Sequence, residues 1–202
     1  ATNAFHSPFG IAFNEAQRLA LLADPTFSLG QFNGGKKGLI AARSIAMLSY
    51  RSYLGFEKSQ SQETLNKLDG FNAASYVRYQ GYKLANRFNA YAYFALTKSM
   101  DSHNVGRNRI SIESALGEIE AKTLVVGISS DLLFPVSEQL FLAKYIPNAT
   151  FREIDSLYGH DGFLVETNQL QQLIAGFLEK SGVLRIQKRH RHQEVVEKLG
   201  GI

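Results

Sequence analysis

Asp131 and His160 are the residues whose types and spacing most directly suggest chemistry. Asp131 follows the apolar run Thr123–Ile128 and the pair Ser129-Ser130. His160 sits in Tyr158-Gly159-His160-Asp161-Gly162-Phe163, soon after a second strand-like run at 150–154. If the two runs are neighbouring parallel strands, residues just past their carboxyl ends gather on one rim, where sites are built. A carboxylate that orients an imidazole makes a general base, and the order Asp then His suits a triad read as Ser, Asp, His. No serine in the 202 residues has glycine both two before and two after it, so the G-x-S-x-G turn of such a nucleophile is not in this sequence. Taken alone, Asp131 also reads as a helix cap ahead of Pro135, Asp161 as a cap for a helix from 162, and His160 as a surface histidine.

The elements that must position these residues follow from periodicity. Residues 1–10 read as the end of a core strand, because the opening is small and abrupt with no turn signal before it. From Ile11 a helix places Ala12, Ala16, Leu19 and Ala23 on one stripe, with Asn14, Glu15 and Arg18 off it, and Asp24-Pro25 ends it. A glycine-rich connection leads to a second helix over 39–54. There Leu39, Ala42, Ala46 and Ser49 share one face, while Arg43, Met47 and Tyr50 lie along another, so Arg43 and Tyr50 project together. A polar linker at 59–62 precedes helices over 73–84 and 89–100, a region crowded with Tyr76, Tyr79, Tyr82, Phe88, Tyr91, Tyr93 and Phe94. Such rings are more often core or subunit interface than a cofactor box. A short helical piece over 111–116, the strand at 123, a helix over 136–145 opened by Pro135, the second strand and a helix over 162–180 complete the pattern. The expected organisation is a strand end at 1–10, a helical lid over 11–117, α/β core units over 118–182 and a basic tail over 183–202.

Composition narrows the function classes. Hydrophobic residues make up 45% and charged residues 20%, as in an ordinary globular protein, and no apolar run is long enough to span a bilayer. The absence of cysteine excludes disulfides and thiolate metal sites. His6, His103, His190 and His192 lack metal-ligand spacing with a carboxylate, so no metal site is expected. Of the net charge of +4, residues 183–202 carry +3. A short basic tail on an otherwise almost neutral chain reads as solvated surface rather than a nucleic-acid site. The opening residues show no basic segment followed by an apolar core, and the expectation is a cytoplasmic protein with neither membrane nor nucleic-acid partner.

Several stretches together resemble one family. They are Asn14-Glu15-Ala16-Gln17-Arg18, Ala23-Asp24-Pro25, Gly38-Leu39-Ile40-Ala41-Ala42-Arg43, Ser49-Tyr50-Arg51-Ser52, Arg87-Phe88-Asn89-Ala90, Asp131-Leu132-Leu133-Phe134-Pro135 and Gly159-His160-Asp161-Gly162-Phe163-Leu164. In this order and spacing they are similar to the carboxyl-terminal part of the homoserine O-acetyltransferases, α/β-hydrolase-fold enzymes of methionine biosynthesis. The resemblance covers about residues 1–180, and it departs at Asn89, where aspartate is expected, and at Phe27, where tryptophan is expected.

The resemblance implies Asp131 as triad acid, His160 as general base, and Arg43 and Asp161 as contacts of the amino-acid acceptor, with Tyr50 as a weaker candidate. A guanidinium matches the carboxylate of zwitterionic homoserine and a carboxylate matches its ammonium. It further implies acetyl-CoA as co-substrate with no bound cofactor, a homodimer formed through the lid, and a front half that carries the nucleophile elbow and oxyanion amides. Without these, the 202 residues are expected to be an inactive fragment. The alternatives are an O-succinyltransferase acting on serine or homoserine, an esterase of the same fold, and, in another class, a non-catalytic helical interaction module.

Overall fold

The computed structural model describes residues 3–64 and 66–182. The basic tail over 183–202 lies outside the described residues. The chain enters through a short antiparallel bridge, Phe5 to Asn104, supported by bonds from His6 N to His103 O and from Val105 N to Ala4 O. Helix α1, Pro8–Leu22, then begins at once, because the Ser7 hydroxyl accepts from Gly10 N and Pro8 suits the first turn. The expected strand end over 1–10 is therefore corrected: residues 3–10 hold that bridge and the first turn of α1, not a strand.

Helix α2, Lys36–Tyr50, is the axis of the lid. Its amino end has no cap of its own, since Gly35 stands there with φ 75°. Asp24 supplies the cap from the end of α1, its carboxylate accepting from Gly38 N at 2.9 Å and Thr26 N at 3.0 Å. These bonds, led by that of Gly38 and opposed by burial, hold the Asp24 carboxyl below its ordinary pKa. Gly38 also lets α1 and α2 cross closely, for a Cβ there would lie 2.8 Å from Leu21 Cα. Leu39, Ala42, Ala46 and Ser49 are all buried, as the face predicts.

The expected helix over 39–54 divides. Arg51 is extended, and Ser52 caps a new helix α3, Tyr53–Gln60, by accepting from Gly55 N at 3.0 Å. Helices α4, Asn72–Ala85, and α5, Ala90–Asp101, complete the lid around Leu21, Leu39, Ala42, Leu84, Ala85 and Ala90. Asn89 caps α5 by accepting from Tyr91 N and Ala92 N, and its amide donates to Phe32 O at 2.8 Å, a bond an aspartate at this position would not make. Phe27 stacks on Tyr91 with centroids 4.8 Å apart.

Helix α6, Ile112–Gly117, leads to β1, Thr123–Ile128, then α7, Val136–Tyr145, and β2, Ala149–Ile154. The strands are parallel and in register from Thr123 opposite Ala149 to Ile128 opposite Ile154. Ala4, Leu116, Val125, Leu142 and Ile146 form a second buried cluster beneath them. Pro135 precedes α7 as its N-cap residue rather than occupying its first turn. The expected helix over 162–180 is interrupted as well. A 3-10 turn, Gly159–Asp161, runs into the one-turn α8, Gly162–Val165, and α9 follows at Thr167–Ser181. Glu166 leaves the helical conformation at ψ 49°, and Gln169 ties the start of α9 to Asp155 O and to the Glu166 carboxylate.

Helix α1 lies the opposite way round from a simple amphipathic reading. Ala12, Ala16, Leu19 and Ala23 are exposed, whereas Asn14, Gln17 and Arg18 are buried. Asp101 of α5 draws the polar face inward: it accepts from Asn14 Nδ2 at 2.7 Å and pairs with Arg18 Nη2 at 2.6 Å. Burial disfavours the Arg18 charge, yet its bonds to Glu15 and Asp101 outweigh that and leave its pKa raised. Among the described residues no helix is long and apolar enough to cross a membrane.

Candidate active site

Both strands end on the same rim, and the residues beyond them meet there. The Asp131 backbone turns back to donate to Ile128 O at 3.1 Å. Its Oδ1 accepts from Leu133 N at 2.8 Å and Phe134 N at 2.9 Å, so Asp131 caps its own turn, one step before the helix it was expected to cap. The other oxygen, Oδ2, lies 2.9 Å from His160 Nδ1. With its side chain 3% exposed, this carboxylate is fixed by three donors and has little freedom to rotate.

The histidine loop is built to reach it. Gly159 adopts φ 61°, a conformation suited to glycine, and its amide donates to Ser130 Oγ at 3.0 Å. Ser130 Oγ in turn donates to Ser156 O at 2.5 Å. The imidazole is then surrounded by rings, with centroids of Phe134 at 5.2 Å, Tyr50 at 5.4 Å and Phe163 at 5.6 Å. An Nδ1 bonded to carboxylate places the proton there and leaves Nε2 as the basic atom.

His160, Arg43 and Tyr50 line one cavity of about 350 Å³ between the rim and the lid. Arg43 Cζ stands 4.9 Å over the Tyr50 ring, so guanidinium, phenol and imidazole form a continuous wall. Opposite them Tyr93 donates its hydroxyl to Gln17 Oε1. Burial pushes the Tyr93 pKa up, Tyr50 adds to the shift and Arg43 opposes it, so Tyr93 stays a neutral donor. A cavity of about 480 Å³ lies at the other ends of the strands, between Lys122, Arg152 and Lys180, away from the dyad.

Asp161 is placed apart from Arg43, with which it was expected to share the amino-acid acceptor. Its Oδ2 lies 3.2 Å from Arg51 Nε, close enough for an ion pair although the N–H is not aimed at the oxygen, and it does not line the cavity of His160. Three contributors went unread in the sequence: Ser130, Arg51 and His6. His6 is buried in the cavity wall, 3.2 Å from Asn14 Nδ2, and its ring packs 6.2 Å from that of Phe134. His6 directly precedes the Ser7-Pro8 helix start, and that position is the sequence signal that fixes it against α1.

No family model matches the chain. A homoserine O-acetyltransferase from Cyclobacterium marinum is 50% identical over 183 residues, which are 90% of this chain and 52% of that protein. This chain matches the carboxyl-terminal half of homoserine O-acetyltransferases. It thus spans about half the length of the curated relatives it resembles. Among solved structures, a homoserine O-acetyltransferase from Bacillus anthracis superposes with a TM-score of 0.79 at 18% identity, over 88% of this chain and 51% of that one. An acetylester hydrolase from Corynebacterium glutamicum superposes at 0.71 with 22% identity, over 89% and 52%. At these identities the likeness concerns the fold, and the described residues form the carboxyl-terminal part of an α/β-hydrolase fold with a helical lid.

The stretches that carry the homoserine O-acetyltransferase resemblance hold distinct places in the fold. Asp24 and Gly38 build the α1–α2 corner, Arg43 and Tyr50 form the cavity wall, and Asp131 and His160 form the dyad.

Proposed function

We propose that this chain supplies the base and the acceptor-binding wall of an acetyltransferase that moves acetyl from acetyl-CoA to the hydroxyl of L-homoserine. The supporting observation is the Asp131–His160 bond of 2.9 Å opening into a cavity walled by Arg43. A serine from the remainder of the enzyme would stand at His160 Nε2, which takes its proton as the oxygen attacks the thioester carbonyl. Coenzyme A leaves with a proton returned from Nε2, and the acetyl group rests on the serine. Homoserine then enters, Nε2 removes its hydroxyl proton, and acetyl passes to that oxygen as the serine ester bond breaks and Nε2 returns the proton to the serine, a ping-pong sequence. Throughout, Asp131 holds Nδ1–H and stabilises the imidazolium. Arg43 would receive the substrate carboxylate, while Asp161, on the same turn as His160, would take its ammonium only by turning from Arg51 toward the cavity. The lid keeps water from the acetyl-enzyme. The same reading makes the protein a cytoplasmic enzyme of methionine biosynthesis, with acetyl-CoA as co-substrate, no bound cofactor, and a homodimer formed through the lid.

An esterase is the second reading, favoured by one observation: Asp161 is engaged by Arg51 and does not face the cavity. Turnover of acetyl-CoA by the complete enzyme, with and without homoserine, separates the two. O-acetylhomoserine is expected as the product, and Arg43→Ala is expected to raise the homoserine KM about 10- to 100-fold while leaving serine acetylation nearly unchanged. Release of acetate at a rate indifferent to homoserine would reverse the assignment.

A further inference from the structure

The proposed chemistry gives no step to the stretch Ser49-Tyr50-Arg51-Ser52, although Tyr50 stands in the cavity wall. Yet its last three residues each grip a different part of the histidine loop. The Tyr50 ring packs 5.4 Å from that of His160. Arg51 Nε lies 3.2 Å from Asp161 Oδ2, and its Cζ stands 5.9 Å from the Tyr158 ring. Ser52 Oγ donates to the carbonyl of Leu157 and accepts from Gly55 N at 3.0 Å. Between these points the two backbones touch directly. A Cβ on Gly159 would lie 2.6 Å from Ser52 N and 2.8 Å from the Arg51 carbonyl carbon.

The loop is thereby held from two sides. Ser130 fixes it to the core through Gly159 N and Ser156 O, and Ser52 fixes it to the lid through Leu157 O. A serine needed only to cap α3 would accept from Gly55 and bond no further than its own turn, as Ser111 does for α6 with Ser114 N and the Glu113 carboxylate. Ser52 adds a donated bond to a residue 105 positions away in the chain. The carboxylate of Asp131 sets where Nδ1 sits, but the backbone at 157–160 sets the direction of Nε2. Displacements of about 1 Å at such a centre cost about 100-fold in rate.

We propose that Ser52 is a positioning residue for His160, its hydroxyl tying the lid to the Leu157 carbonyl so that the histidine loop stays at the height of Asp131. The catalytic consequence rests on the reading of His160 as general base; the geometry does not. The test is nuclear magnetic resonance on the complete enzyme and on its Ser52→Ala and Ser111→Ala variants, with Asp131→Asn as the blank for the His160 Nδ1 proton. Ser52→Ala is expected to weaken or shift that resonance and to speed amide exchange at Tyr158 and Gly159 about 10-fold or more, while Ser111→Ala leaves both within about 2-fold. Equal behaviour of the two variants overturns the proposal. If Ser52→Ala does not fold, the unaltered enzyme still decides. The amides of Gly55 and Gly159 are expected to show protection within about 3-fold of each other, as one opening unit, and a separation beyond about 10-fold overturns it. Because these signals need no substrate, an enzyme that shows them supports the proposal even if it transfers nothing to homoserine.

Discussion

Three donors reach the Asp131 carboxylate, the amides of Leu133 and Phe134 on Oδ1 and His160 on Oδ2, and this division decides what a substitution does. In Asp131→Asn the amide oxygen can keep both turn bonds. Its NH₂ then faces Nδ1, so the imidazole proton moves to Nε2 and the base is lost. In the complete enzyme turnover is expected to fall about 10³- to 10⁴-fold, with the melting temperature within a few degrees of wild type, as read by steady-state kinetics beside thermal denaturation. Near-normal turnover would remove the basis for the dyad. The two members of that dyad were legible in the sequence because strand ends and a short loop leave few places for them to go. Arg51 was not: periodicity had it inside a helix over 39–54, and only the break made by the Ser52 cap turns its guanidinium toward Asp161.

At the scale of elements, Asp24 shows why local rules succeed in some places and fail in others. Its role in ending α1 was readable from Asp24-Pro25, but its capping of α2 across 14 residues was not, because that bond exists only once the helices are packed. Since bonds from Gly38, Thr26 and the Lys37 backbone hold its pKa down against burial, the ionised form is the one the fold favours. Its stabilisation is fully present above the unfolded carboxylate value near 4 and is lost as pH falls through the lower folded value. Asp24→Asn is expected to cost about 1–3 kcal/mol near neutral pH, and the gap from wild type should narrow below about pH 4. Urea titrations of both proteins at several pH values measure this. A gap that persists unchanged into acid would show that shape, not charge, makes the corner. The inversion of α1 has a related cause. Apolar spacing assigns its stripe of small and aliphatic residues to the core, but Asp101, far along the chain, forms bonds with Asn14 and Arg18 that turn the polar side inward.

For the whole molecule, the inversion leaves Phe9, Leu19 and Leu22 exposed on α1, and no residue of α9 is buried. Among the described residues the sheet has two strands, so β1 presents an unpaired edge. A two-stranded sheet is marginal in water, and an open edge beside uncovered apolar faces invites association. The matched relatives are about twice as long, and their amino-terminal halves are of the size needed to cover these surfaces. The 202-residue chain alone is therefore expected to self-associate and to bind a hydrophobic dye. Co-expression with the amino-terminal half of the Cyclobacterium marinum relative, 50% identical over the matched part, is expected to give a one-to-one complex. Burial of the edge and faces in that complex should raise the melting temperature and suppress dye binding, because ligation of the folded form stabilises it. Sedimentation velocity and calorimetry on the chain alone and on the mixture distinguish the outcomes. A sharp unfolding transition and a defined oligomer for the chain alone, unchanged by the added half, would favour a helical interaction module over a half of an acyltransferase.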